Sequence, residues 1–261
     1  MIEVILKYMI DNKDLLDENG FVLLKDFFSE KEAEHIIEYA NEIEKWNEEK
    51  YKWMIYYEGQ GAYKKKSRIE YFINYHDKLK LLLDNKLIPL VNDICGTEMC
   101  LFKDKLNWKY GGGAGFKAHQ DQPAWSDFKP KRFISLAIFA NATTRDNGCL
   151  QFVSGLHKNG LLDYDKIGSG SIKNENLLSW KHLSTSPRDV LLFDSFTPHK
   201  SDSNKTNLSR RIFYFTFNEK KYGDLYNDYF KKKREELPPE IERSKEIKLN
   251  GNKYNLANPI I

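Results

Sequence analysis

The sequence predicts a mainly β protein with flanking helices, and two observations carry this prediction. Helical patterns occupy about the first 98 residues, whereas five runs rich in β-branched and aromatic residues follow between about 99 and 220. Turn residues such as Asn147-Gly148 separate these runs, as they do in antiparallel sheets. The 261 residues contain no internal repeat or low-complexity linker, so we expect one domain, 1–261, with a C-terminal tail at 221–261.

The first elements are predicted from turn and capping signals. Residues 18–20 form a turn signal, and the apolar residues 21–24 after it suit a short strand. Ser29 and Glu32 form a capping box, which begins a helix that continues to about Trp46 with an apolar stripe at helical spacing.

The later elements follow from composition and breakers. A shorter apolar helix at 86–95 ends before Gly96. The predicted strands are 99–109, 132–140, 149–153, 189–193 and 211–217. A long irregular stretch at 158–176 contains Gly-Ser-Gly, and a loop of this length is either a functional lid or mobile surface. The pattern does not decide between the two.

The charges nearly cancel, which argues against two classes of partner. There are 41 basic and 38 acidic residues, so the formal net charge of +3 gives no general reason to expect nucleic-acid or membrane binding. The basic run 231–234 is followed by two glutamates, which favours a solvated, self-paired helix face over a nucleic-acid arm.

The cysteines and the chain start indicate a cytoplasmic protein. Three scattered cysteines are too few for a disulfide framework or a zinc–cysteine site, so we expect free thiols. No apolar run approaches the roughly 20 residues that span a bilayer, and the first residues lack the layout of a signal peptide.

The candidate chemistry lies in His119 and Asp121, with His199 and Arg210 farther along the chain. Residues two apart on an extended segment point to the same face, so the first two side chains can converge. A single histidine is usually a surface residue or a core residue, but two histidines and an aspartate in this order favour a functional site. Two imidazoles and one carboxylate form the ligand set of non-haem iron(II) oxygenases.

Four segments resemble the phytanoyl-CoA dioxygenase family of iron(II)/2-oxoglutarate oxygenases. They are 115–121, 147–157, 199–206 running on to Arg210, and 19–22. The resemblance implies a double-stranded β-helix, a jelly-roll barrel of the cupin kind, flanked by helices.

The same resemblance implies roles for individual residues. His119, Asp121 and His199 would bind iron(II), while Arg210 and Ser201 would bind the distal carboxylate of 2-oxoglutarate. A guanidinium fork suits a carboxylate because it donates two parallel hydrogen bonds.

Three neighbouring residues complete this expectation. His157 and Gln120 are expected to steady the metal site from outside it. Arg211 should face the opposite side of its strand from the cosubstrate, as a surface cation.

The predicted strand 99–109 carries polar residues on one face. Alternation places Lys103, Lys105, Asn107 and Lys109 together. Similarity to the ectoine-hydroxylase branch implies that Lys103 and Asn107 approach 2-oxoglutarate, whereas Lys105 meets an acidic group on the substrate. The alternative is an edge strand whose lysines deter aggregation.

A lysine inside a barrel mouth requires an anion, since an unpaired buried ammonium group is costly. This favours a small acidic substrate such as a carboxylate, phosphate or phosphonate, with Trp125 as an aromatic wall of its pocket. Segments 53–58, 68–70 and 255–260 resemble the branch that acts on aminoalkylphosphonates.

The implied reaction is hydroxylation by iron(II), 2-oxoglutarate and O2, with release of succinate and CO2. Asp121 argues against the halogenating relatives, which have a small residue at that position. Two alternatives remain open: desaturation or cyclisation at the same site, and a non-catalytic cupin-like protein that binds a metal or a small acid. A cosubstrate anchor at Arg210 favours an enzyme.

Overall fold

Two antiparallel sheets form the framework of the protein, whose computed structural model describes residues 12–59, 64–166 and 170–243. The strands are Phe21–Leu24 (β1), Met54–Glu58 (β2), Lys65–Glu70 (β3), Met99–Lys109 (β4), Phe116–His119 (β5), Ile134–Phe139 (β6), Leu150–Phe152 (β7), Lys181–Leu183 (β8), Val190–Asp194 (β9), His199–Ser201 (β10) and Arg210–Glu219 (β11). The larger sheet has the order β1-β9-β6-β11-β4-β3-β2, and the smaller has the order β5-β10-β7-β8. This is the double-stranded β-helix that the family resemblance implied.

Alternation along the central strands divides the apolar residues between two cores. On β11, Ile212 and Tyr214 face the smaller sheet and pack with its Leu150 and Phe152. Phe213 and its odd-numbered neighbours face the other way, into the core under the helices. A strand buried on both faces thus supplies both cores, because successive side chains point to opposite faces.

The helices cover the outer face of the larger sheet. They are Glu30–Glu44 (α1), Asp77–Leu82 (α2), Ile88–Cys95 (α3) and Tyr226–Glu236 (α4). The predicted capping box is confirmed, because the Glu32 amide donates to the Ser29 hydroxyl and the Ser29 amide donates to the Glu32 carboxylate. The predicted helix at 86–95 is the last part of a longer helical run, joined to α2 by a π-helical turn at Leu83–Leu87.

The short strand predicted at 21–24 is confirmed as β1, whereas β2 and β3 lie where the sequence showed no clear signal. All three come from the first 98 residues yet belong to the larger sheet, so that part of the chain is not a separate helical layer. The edge strands of the larger sheet are β1 and β2, and β4 lies inside it between β3 and β11. The edge-strand alternative for 99–109 is therefore wrong.

The long loop after β7 packs against the strand that ends in His119. The Ile172 amide donates to the Ala118 carbonyl at 2.8 Å, and the Ala118 amide donates to the Glu175 carboxylate at 3.2 Å. Residues 167–169 of this loop lie outside the described residues, as does the segment 255–260.

The remaining sequence expectations concern thiols and membrane spans. Cys95, Cys100 and Cys149 are free, as expected. Within the described ranges, no helix is both long and apolar enough to cross a membrane.

A buried carboxylate fixes the turn that follows β3. Asp104 on β4 is fully buried and accepts hydrogen bonds from the backbone amides of Tyr71, Phe72 and Ile73, at 2.7, 2.8 and 2.7 Å. Tyr71 has a positive φ of 59°, so the turn is strained locally and depends on these bonds.

We expect Asp104→Ala to lower the free energy of unfolding by about 3 kcal/mol or more, because three buried amides lose their acceptor. Equilibrium unfolding in urea measures this change. Asp93→Ala, at an exposed position on α3, is the matched control and should change stability by less than about 0.5 kcal/mol. Equal effects of the two substitutions would contradict this account of the turn.

Candidate metal centre and active site

Three predicted ligands converge at the pairing of β5 with β10. His199 at the start of β10 lies directly opposite His119 at the end of β5, and Asp121 follows two residues later. His119 Nε2 lies 3.7 Å from Asp121 Oδ1, and His199 Nε2 lies 3.9 Å from Asp121 Oδ2. The three donor atoms all lie within 4.8 Å of one another. One metal ion can therefore be bound by all three.

The backbone orients both imidazole rings in the same way. His119 Nδ1 lies 2.7 Å from the Lys117 carbonyl oxygen, and His199 Nδ1 lies 2.9 Å from the Thr197 carbonyl oxygen. Each Nδ1–H donates to the carbonyl two residues earlier, which leaves both Nε2 lone pairs directed at the common centre.

The electrostatics favour the protonation states that a metal requires. Burial lowers the pKa of His119 to about 4, and the neighbouring His199 adds to the effect. Burial alone would raise the pKa of Asp121, but His199, His119 and Lys105 hold it below its usual value. A neutral imidazole and an ionised carboxylate result, and this donor set fits iron(II).

Gln120, between the two ligands of the His-x-Asp motif, braces the surrounding backbone. It is buried, and its amide nitrogen donates to the carbonyls of Gly160 at 2.8 Å and Phe196 at 2.6 Å. Its amide oxygen accepts from the Leu162 backbone at 2.8 Å. Gln120 thus joins the His-x-Asp segment to the segment before His199 and to the loop after β7, a contact set that supports the expected steadying role.

His157 and Thr197, the residue two before His199, both lie against Gly20. His157 Nε2 lies 3.2 Å from the Asp17 carbonyl oxygen, and a side chain at Gly20 would collide with the His157 ring and the Thr197 hydroxyl. Because the Thr197 carbonyl accepts from His199, the packing of His157 supports the backbone that orients this ligand.

The candidate cosubstrate residues lie on β10, β11 and β4. Arg210 is buried, pairs across strands with Lys109, and donates from Nη1 to the Gly148 carbonyl at 2.7 Å. Gly148 has φ +73°, and a Cβ there would lie 2.2 Å from the Asp202 carbonyl oxygen, so only glycine fits. Arg210 Nε has no hydrogen-bond partner among the described residues. The guanidinium therefore keeps donor capacity for an anion.

Lys109 joins this group, although the sequence assigned it no role. Its ammonium donates to the Ser201 hydroxyl at 2.8 Å. Burial, together with the neighbouring Arg210, lowers the pKa of Lys109 to about 6. The alternation of β4 already placed Lys109 on the inner face, and that signal could have identified it.

A cavity of about 140 Å³ opens beside the three ligands. The predicted residues that line it are Lys103, Lys105, Asn107, His119, Asp121, Trp125, His199 and Ser201. The lining residues to which the sequence assigned no site role include Arg68 from β3, which lies in the segment 68–70 noted above, Tyr214 and Thr216 from β11, and Tyr229 and Lys233 from α4. Arg210 lies outside this lining, beside Lys109.

Lys103 and Lys105 face different parts of the cavity. The Lys103 ammonium lies 5.8 Å from the Trp125 ring centroid and 5.4 Å from that of Tyr229, on the side of Trp125. Lys105 lies 4.6 Å from the Tyr214 ring centroid. Burial, with the positive charge of Lys103 added, lowers the pKa of Lys105 to about 7. Among the described residues, no carboxylate oxygen lies within 4.0 Å of the Lys105 ammonium.

A single buried carboxylate, Glu70, neutralises part of this positive charge. Its oxygens lie 3.1 Å from Arg68 Nε and 3.9 Å from Lys103 Nζ, and it also pairs with Lys233. Burial alone would raise the pKa of Glu70, but Lys233, Arg68 and Lys103 hold it well below its usual range. Glu70 is therefore ionised, and it joins β3, β4 and α4 at the cavity wall.

Two expectations about cations need correction. Arg211 does face away from the cavity, but it is buried rather than a surface cation, and it donates to Asn141, Asn41 and Glu44. In the basic run 231–234, Lys232 and Arg234 pair with nearby carboxylates as expected. Lys233 instead turns inward to Glu70, because the docking of α4 on the sheet directs one side of the run at the cavity.

Sequence comparisons agree with the site. The family model described as phytanoyl-CoA dioxygenase (PhyH) matches residues 16–212, more than half of the chain. A 2-aminoethylphosphonate dioxygenase from uncultured bacterium HF130_AEPn_1 is 38% identical over 255 residues, covering 96% of this chain and 97% of the relative. A methylphosphonate hydroxylase from Gimesia maris is 36% identical over 222 residues, covering 85% of each.

Solved structures share the fold. EctD from S. alaskensis, solved with 2-oxoglutarate and 5-hydroxyectoine, has a TM-score of 0.69 at 21% identity, covering 81% of this chain and 76% of that one. The epimerase SnoN from nogalamycin biosynthesis has a TM-score of 0.67 at 16% identity, covering 82% and 84%. At these identities the similarity establishes the double-stranded β-helix.

We expect Asp121→Ala to weaken iron(II) binding by more than about 100-fold, since loss of a direct ligand should exceed the effect of losing an outer-shell partner. Anaerobic metal titration of the purified protein measures the dissociation constant. Asp14→Ala, at an exposed position, is the control and should bind metal as the wild type does. Unchanged metal affinity in Asp121→Ala would exclude this site as the metal centre.

Proposed function

The chain belongs to the phytanoyl-CoA dioxygenase family, and from this premise we propose that it hydroxylates an unactivated C–H bond of a small phosphonate. As a member of that family it is an iron(II)- and 2-oxoglutarate-dependent dioxygenase. The observation that carries the substrate proposal is the positively charged cavity beside the three ligands.

His119, Asp121 and His199 would hold the iron, because their donor atoms converge and their rings are oriented by the backbone. Bound there, iron would use 2-oxoglutarate and O2 to convert a C–H bond to an alcohol, with succinate and CO2 as the other products. The protein residues contribute positioning and exclusion of water around this centre.

Arg210, Ser201 and Lys109 would bind the distal carboxylate of 2-oxoglutarate. The Arg210 guanidinium, the Lys109 amine and a hydroxyl lie together there, and Arg210 Nε has no hydrogen-bond partner among the residues that the structure describes. Asn107 lines the cavity nearby, and its side-chain amide N–H can donate to a carboxylate oxygen, which supports a cosubstrate contact. A cosubstrate anchor of this kind has no purpose in a non-catalytic metal-binding protein.

The substrate would occupy the part of the cavity between Lys105 and Trp125. Within the described part of the chain, no carboxylate lies within 4.0 Å of the Lys105 ammonium, so an anionic group would stabilise its charged form. The contacts of Lys103 with Glu70, Trp125 and Tyr229 support a place on this substrate side rather than beside 2-oxoglutarate. The two relatives are named for 2-aminoethylphosphonate and methylphosphonate, both of which are small anions of this kind.

We expect phosphonates to stimulate succinate release. Anaerobic enzyme with iron(II) and 2-oxoglutarate should show a weak visible absorption band. Aerobic addition of 2-aminoethylphosphonate or methylphosphonate should raise succinate formation above the substrate-free rate by about tenfold or more, which corresponds to a barrier lower by about 1.36 kcal/mol. Detection of the hydroxylated phosphonate by ³¹P NMR identifies the product.

A screen of amino acids, betaines and phosphonates serves as the comparison. Stimulation by a substrate without any anionic group, with no response to phosphonates, would contradict the proposed substrate class. If neither the band nor succinate appeared, and Asp121→Ala did not differ from wild type, the assignment as an iron(II)- and 2-oxoglutarate-dependent dioxygenase would be contradicted.

Arg210→Met should weaken 2-oxoglutarate binding by roughly 10- to 100-fold, because charge-assisted hydrogen bonds contribute about 1.5–3 kcal/mol. Anaerobic titration of the visible band measures the dissociation constant. Arg211→Lys is the matched control, since Arg211 is the adjacent buried arginine on the opposite face of β11. If both variants bound 2-oxoglutarate equally well, Arg210 would not be the anchor.

A further inference from the structure

Arg68 on β3 lies at the cavity wall with unused hydrogen-bonding capacity. It is 3% exposed and lines the cavity, opposite Asn107 in the strand pairing. Its Nε lies 3.1 Å from Glu70, but neither Nε nor Nη2 has a hydrogen-bond partner among the described residues. Buried donors without acceptors are costly, so a guanidinium in this state is suited to receive an anion.

The plane of this guanidinium is held in place before any ligand arrives. Its Cζ lies 4.4 Å from the Tyr56 ring centroid, and the Tyr56 hydroxyl donates to the Leu237 carbonyl at 2.8 Å, just after α4. Glu70 neutralises the guanidinium from another side and is itself fully buried. The side chain is therefore pre-organised, which lowers the entropic cost of binding.

The surrounding charges leave an excess of positive charge for a ligand. Arg68, Lys103 and Lys233 share the single carboxylate of Glu70, while Lys105 has no carboxylate within 4.0 Å among the described residues. Three basic side chains that share one carboxylate favour a ligand with more than one negative charge. A phosphonate can carry two, whereas a carboxylate carries one.

We propose that Arg68, positioned by Glu70, binds the phosphonate group of the substrate together with Lys105 and determines the preference for a tetrahedral dianion over a carboxylate. This rests on the proposed function, since it assigns the group that recognises the substrate at the same site. The guanidinium contributes a planar fork that binds two phosphonate oxygens, and Lys105 contributes a compact charge. Glu70 is a positioning residue because it acts through Arg68.

Two other roles would account for Arg68 differently. As a structural counter-ion of Glu70 it would affect stability but not ligand affinity. As a cosubstrate ligand it would affect 2-oxoglutarate, since Arg68 also lines a smaller adjoining cavity with Asn107 and Lys109. The test therefore measures the affinities for both ligands separately.

The experiment uses Arg68→Lys, which keeps the charge beside Glu70 and removes the fork. Calorimetric titration of the anaerobic iron(II)–2-oxoglutarate enzyme with 2-aminoethylphosphonate and with methylphosphonate gives their dissociation constants. We expect both constants to rise tenfold or more in Arg68→Lys, because the two ligands share the phosphonate group. The 2-oxoglutarate dissociation constant should stay within about twofold of wild type, since one pairwise contact is removed on the substrate side only.

Arg211→Lys is the control for replacing a buried arginine, and it should leave both phosphonate affinities unchanged. A second measurement needs no variant: wild-type enzyme should bind methylphosphonate at least tenfold more tightly than acetate. If Arg68→Lys does not fold, as judged by its melting temperature, the comparison of methylphosphonate with acetate still tests the preference for a phosphonate over a carboxylate.

Each contrary result has a distinct meaning. Phosphonate affinity that is no lower in Arg68→Lys than in Arg211→Lys, or equal wild-type affinity for methylphosphonate and acetate, overturns the role of Arg68 and leaves the proposed function intact. Loss of 2-oxoglutarate affinity alone assigns Arg68 to the cosubstrate and also overturns the inference. If wild-type enzyme neither binds the phosphonates nor releases succinate with them, the proposed function fails and the inference with it.

Discussion

The antiparallel pairing of β5 with β10 sets His119 opposite His199, and the metal site depends on this register. Because side chains alternate with a period of two, a slip of one residue would turn one imidazole away from the other. The carbonyls of Lys117, within β5, and of Thr197, two residues before β10, orient the two rings. Gln120 and the loop after β7 hold the strands from outside, so the ligand geometry is supported by backbone contacts on several sides.

A second constraint is the buried carboxylate of Glu70. It lies among Arg68, Lys103 and Lys233, which come from three different elements, and it is ionised because they surround it. A buried ion cluster of this kind often stabilises a fold no better than apolar residues would, since desolvation offsets much of the attraction between the charges. Because Glu70 lies beside the cavity, it also holds the side chains of Arg68 and Lys103 in place on the proposed substrate side.

Strands with a long periodic pattern could be predicted from the sequence, whereas short strands that exist because of pairing with distant segments could not. β4 was predicted with its observed bounds, because eleven residues of alternating character make a strong signal. β5 and β10 have only four and three residues, too few for a periodic pattern, and they exist as strands because each has a partner. The predicted metal ligands needed no such strands to be recognised, because their types and order were sufficient.

The sequence by itself predicted the class of fold, the three candidate metal ligands and the inward face of β4. The first two follow from residue types, their order and the family resemblance of four segments, and the third follows from alternation within one strand. Only the tertiary structure decided that Arg68 and Lys233 reach the cavity, that Lys103 lies beside Trp125, and that Arg211 is buried. The physical reason is that electrostatic interactions depend on distance and burial, and residues 68, 103 and 233 become neighbours only when β3, β4 and α4 have packed together.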